Sequence, residues 1–140
     1  MTRALLLIAL LLPVSGCVSL VQRQPNTGLV DELGAGEARK QLKITSSRAR
    51  DPQIVNVEFD DVGFIYTYNH LAPMTLIPIQ AKMSVLYDNL ERLDLYENAR
   101  VFLIGTGGHE MSAITFGSLG DAERWVDLVL SLKHDYLNNR

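Results

Sequence analysis

The chain has 140 residues, a single cysteine and a formal charge of −3. That length suits one domain with a modest core and excludes two ordinary ones. The mild acidity, with Lys and Arg scattered, argues against the basic stripe of a nucleic-acid binder, and a lone cysteine excludes an internal disulfide.

Residues 1–16 read MTRALLLIALLLPVSG. Arg3 supplies a positive start, residues 4–12 form an unbroken apolar run, and small residues follow Pro13. This is the layout of a secretory signal. The run is too short to span a bilayer, which takes about 20 residues.

Val14-Ser15-Gly16-Cys17 resembles the lipobox of bacterial lipoproteins, with Val where Leu is commoner. The resemblance implies that the Cys17 sulfur takes a diacylglyceryl group, that the signal is cut away, and that Cys17 becomes the first residue. Cleavage there leaves 124 of the 140 residues and, with Arg3 gone, a formal charge of −4. Val18 follows the cysteine rather than Asp. The resemblance therefore implies the periplasmic face of the outer membrane, if the cell is Gram-negative. Two or more acyl chains give stable anchoring where one gives only reversible binding.

Residues 17–30 carry no sustained period and are expected to be a lipidated tether. A single α+β domain is expected over residues 31–140. It opens with a short helix over residues 36–46, where Ala38 and Leu42 fall at helical spacing and the cations Arg39, Lys40 and Lys43 follow Glu37. Residues 46–52 read as a polar loop.

From Ile54 the period changes to two. Val55, Val57 and Phe59 are expected on one face, then a turn at Asp60-Asp61, then Val62, Phe64, Tyr66 and Tyr68 on one face. Two such runs make a hairpin. Residues 69–73 read as a loop. Residues 75–81 read as a strand that Pro78, lacking a donor, confines to a sheet edge. Residues 83–90 fit a short strand or one helical turn. Residues 92–97 alternate again, with Leu93 and Leu95 inward. Residues 97–99 make a turn, residues 101–104 read as a central buried strand, and residues 105–110 as a loose hairpin loop. Residues 111–116 close the set, with Ile114 and Phe116 inward.

Ser118 with Asp121 three residues on matches a capping box. Ala122, Trp125, Val126, Val129, Leu132 and Tyr136 then recur at helical spacing, so a long amphipathic C-terminal helix is expected, anchored to the sheet by Trp125.

The fold class is therefore α+β, an antiparallel meander of six to seven strands with a short N-terminal and a long C-terminal helix. The element order, the Tyr87-Asp88-Asn89-Leu90-Glu91-Arg92-Leu93 approach to a strand, and Phe116-Gly117-Ser118 before the last helix resemble the pleckstrin-homology-like barrel. That resemblance implies a bent sheet closed by the helix and a domain that binds peptides, lipids or proteins. Its phosphoinositide-binding members use a basic first hairpin, whereas the turn here is Asp60-Asp61.

No pattern for a cofactor, metal or catalytic nucleophile stands out. Gly105-Thr106-Gly107-Gly108 lacks a phosphate loop's Lys-Ser/Thr, and His109-Glu110 lacks the second histidine of a zinc protease, since Ala113 stands there. His70, His109 and His134 show no metal-ligand spacing. Tyr66, Tyr68, Tyr87 and Tyr96 are the candidate recognition surface, if some share an exposed face; half-buried strand aromatics are the plainer reading. The expectation is a non-catalytic envelope lipoprotein, membrane-anchored at Cys17, that binds a protein, peptide or cell-wall partner. The alternatives are a small envelope hydrolase, using for instance His109 with Asp94, and a carrier of an apolar small molecule held between sheet and helix.

Overall fold

The computed structural model describes residues 17–140; the expected signal, residues 1–16, lies outside the described residues. The elements are α1 (Leu29–Leu33), α2 (Ala35–Ser46), β1 (Ala49–Asp51), β2 (Gln53–Phe59), β3 (Gly63–Leu71), β4 (Pro78–Leu86), β5 (Leu90–Leu95), β6 (Arg100–Gly105), β7 (Glu110–Phe116) and α3 (Leu119–Asn138). The class is α+β, as expected. The seven strands make two antiparallel sheets, ordered β2-β3-β4 and β1-β7-β6-β5. Each sheet is built around a three-strand meander, with β1 added to the second beside β7. No ladder joins β4 to β5 or β1 to β2, so the barrel closure that the resemblance implies does not occur and the open antiparallel alternative holds. Pro52, between β1 and β2, has no N–H with which to continue a ladder.

The first hairpin is where the alternation puts it, with Phe59 opposite Phe64. Asp60 Oδ1 accepts the Val62 N–H at 2.9 Å, an Asx-type turn. Gly63 follows because β4 passes close by: a Cβ there would sit 2.1 Å from the Val85 carbonyl oxygen. One face differs from expectation. A bulge between Ile54 and Asn56 turns Ile54 and Val57 inward and leaves Val55 exposed, as an extra residue in one strand must. Residues 49–51, read as loop, pair with β7 as the short strand β1.

The last helix begins as its cap predicts: Ser118 Oγ accepts the Asp121 N–H at 3.1 Å. Arg48 hydrogen-bonds the Asp121 carboxylate and holds it below the usual carboxylate range. Trp125 is fully buried. Its ring meets Phe64 of one sheet edge-on at 6.2 Å and Phe116 of the other at 5.8 Å. Its Nε1–H donates to Ser46 Oγ at 3.0 Å. One side chain thus joins α3 to both sheets and to the end of α2.

The expected tether lies against the domain from Ser19 on. Leu20 bridges Tyr96, and the Val21 N–H donates to the Leu95 carbonyl at 2.8 Å, along the outer side of β5. Arg23 reaches Asp127 at 2.7 Å, and Ser131 Oγ receives the Leu29 N–H while donating to the Asn26 carbonyl. These partners lie about a hundred residues away in sequence, so no local period announces them. The short helix α1, with Leu29 and Val30 buried, follows from the same docking.

Candidate interaction surface

From Val62 to Ala81 the chain has no Asp, Glu, Lys or Arg. The first part of this run is core. The second builds the outer half of the β3–β4 hairpin, where Tyr68 pairs with Ala81, His70 with Ile79 and Leu71 with Pro78. The Ala72 N–H donates to the Ile77 carbonyl at 2.9 Å and closes the tip. Pro78 keeps β4 at the outer edge of its sheet, as expected, but strand β3 runs on through residues 69–71, and the loop is residues 72–77.

This tip is apolar and open. Met74 is wholly exposed and Leu76 three-quarters exposed, with Leu71, Ile77 and Ile79 also exposed. Two of these residues have left-handed backbones, Met74 at φ 69° and Leu76 at φ 55°. For an L-residue that geometry costs roughly 1–2 kcal/mol, and glycine or asparagine normally takes it. Large apolar side chains therefore stand where both solvation and backbone energy disfavour them. Such outliers collect at ligand clamps and switches. At the hairpin's root, a cleft of about 510 Å³ separates it from the β1–β2 junction, with Arg50, Asp51, His70, Leu71 and Pro78 among its walls.

The four tyrosines do not form one face. Tyr66 is fully buried, and its hydroxyl shares a 2.6 Å hydrogen bond with Ser112 Oγ. Tyr68 lies next to it, half-buried, 5.8 Å away between rings. Tyr87 is buried at the far end against Tyr136, and Tyr96 belongs to the turn after β5, edge-on to Phe102. Burial pushes the Tyr66 and Tyr87 hydroxyls up to about 12. Since the unfolded chain releases these protons near 10, stability is full below pH 10 and falls between about pH 10 and 12. The expected slope approaches roughly 1.4 kcal/mol per pH unit for each tyrosine. Urea titrations across that window check it, with Tyr66→Phe removing about half the slope.

The three histidines sit apart and exposed, on β3, in the β6–β7 turn and on α3. Asp94 is engaged by Arg92 at 3.0 Å rather than by His109. Among the described residues, no three His, Cys, Asp or Glu side chains gather as metal ligands would, and no helix is long and apolar enough to cross a membrane. A second cleft, of about 230 Å³ beside the end of α3, is lined by charges of both signs, including Arg39, Asp61, Asp135 and Arg140. Comparison of the chain with family models, curated proteins and solved structures finds no match.

The hairpin tip was hidden in the sequence. An apolar stretch of strand length reads as buried. The signal that pointed outward was the pair Pro73 and Pro78 bracketing it, since prolines at such spacing fit a protruding edge better than a core strand.

Proposed function

We propose that this chain is a lipid-anchored envelope protein, held by Cys17, and that its domain is a non-catalytic binding module. The observation that carries the reading is the β3–β4 tip. Five apolar side chains there are exposed to water, although the same domain buries a core of apolar residues elsewhere. At about 1.5–3 kcal/mol per fully covered side chain, covering the exposed fractions releases roughly 5–10 kcal/mol before the costs of binding. A contiguous apolar protrusion of this kind marks an interaction site. Cys17 is exposed, where an acyl group meets no steric obstacle from the domain.

The left-handed tip residues provide the test. In the Met74→Gly, Leu76→Gly double variant, glycine relieves the backbone cost while the apolar surface is lost. Its melting temperature is expected to hold or rise. A photoreactive side chain at Ile77 is expected to form adducts in intact cells, and to lose most of them in the double variant. Equal adducts in both proteins, or none from the tip in either, refute the module.

A further inference from the structure

We infer that the occupant of the tip is the phospholipid bilayer itself: the β3–β4 hairpin dips into the membrane that holds the Cys17 acyl chains, so the domain is attached at two points. This rests on the anchored reading above and names what the module touches.

Four observations favour lipid over a protein partner. The tip is a knob without polar side chains other than Thr75, and between Leu71 and Ile79 there is no Trp, Tyr, Phe or Arg. Protein hot spots draw on those residues, whereas acyl chains ask only for apolar bulk. Part of the tip's backbone also needs no water. Pro73 and Pro78 have no N–H, and the Ala72 N–H is already bonded to Ile77, which lowers the cost of entering a medium without water. A tyrosine lies behind the tip: the Tyr68 ring on β3 is 5.9 Å from the His70 ring and tilted 38° to it, and tyrosines settle at the level of a membrane surface.

The fourth observation is position. Val18, next to the anchor, shares a cleft with Arg100. Arg100 pairs across the sheet with Thr115, and Thr115 with Asp51. Asp51 lines the cleft at the hairpin root with Leu71 and Pro78. Two strand spacings, about 10 Å, therefore link the wall of the anchor's cleft to the wall of the hairpin's cleft. A short lipidated stub and the tip can reach one membrane surface together.

The experiment uses the full chain, processed in cells and studied in its membranes. If Cys17 is a thioether it cannot react with a thiol-directed dye, so Leu76→Cys presents the one labelling site. Val62→Cys is the control, since Val62 is also exposed but lies at the other end of β3, about 30 Å away by strand rise. An environment-sensitive dye at residue 76 is expected to shift to the blue and lose most of its emission to nitroxide-labelled phospholipids. The same dye at residue 62 is expected to do neither. A tip dye that stays unquenched while the protein remains on the membrane overturns the insertion and leaves the anchor standing; if that dye is instead shielded by a crosslinked protein, the occupant is a protein. Labelling of the unsubstituted chain at Cys17 removes the anchor, and the two-point attachment with it.

Discussion

Trp125→Ala is expected to lower the unfolding free energy by about 3–5 kcal/mol, the range for emptying a large aromatic site in a core. Three losses coincide at that position. The ring is fully buried, so its transfer free energy is lost. Its contacts with Phe64 and Phe116 vanish, and these come from different sheets that no strand ladder joins. The Ser46 hydroxyl, itself buried, loses the indole N–H that satisfies it. For a domain whose whole stability is of order 5–15 kcal/mol, this change is near the limit of tolerance. Ser46→Ala separates the contributions: it removes only the acceptor and is expected to cost about 1 kcal/mol or slightly more. Trp125→Phe keeps most of the apolar volume and should fall between. Urea unfolding followed by circular dichroism measures all three. A loss below about 1 kcal/mol for the alanine variant, far under the range for such a cavity, would show that the two sheets are held together elsewhere.

Local chemistry explains what was legible beforehand. The α3 helix was readable because its cap, Ser118, and its apolar stripe lie within one continuous segment. The β2–β3 hairpin and the central strand β6 were readable for the same reason: alternation or an apolar run, bounded by turn residues. What was illegible depends on groups distant in sequence. The bulge at Ile54–Asn56 reverses the roles of Ile54 and Val55 without altering composition. The docking of residues 19–29 rests on isolated bonds to Leu95, Asp127 and Ser131. The separation into two sheets instead of a barrel turns on ladders that do not form, which no periodicity encodes.

The candidate site failed to show for a related reason. Tyr66 and Tyr68 drew notice as polar aromatics, yet alternation along β3 could not say which side faced the second sheet. Tyr66 faces it and bonds Ser112. The proposed surface instead lies a few residues further along the same hairpin, in side chains that look like core. Only the extension of β3 and β4 past the start of β2, where Gln53 pairs with Asn69, makes Met74 and Leu76 surface residues. That extension is tertiary information.

Cys17→Ser is expected to move the protein from the membrane to the aqueous fraction and to abolish incorporation of labelled fatty acid. Each buried methylene contributes about 0.8 kcal/mol to membrane binding, and a single fourteen-carbon chain alone gives an association constant near 10⁴ M⁻¹. Losing two or more chains therefore removes many orders of magnitude of affinity. The tip cannot replace them, because its five apolar side chains are small beside even one acyl chain, and all but Met74 are already partly shielded by their neighbours. The residual attachment should be weak and reversible. Combining Cys17→Ser with Leu76→Asp separates the two contacts: the serine variant should retain a small fraction on phospholipid vesicles, and the added aspartate should release it. A serine variant that pellets with membranes as fully as the parent, and resists salt and carbonate washing, would place the anchor somewhere other than the Cys17 sulfur.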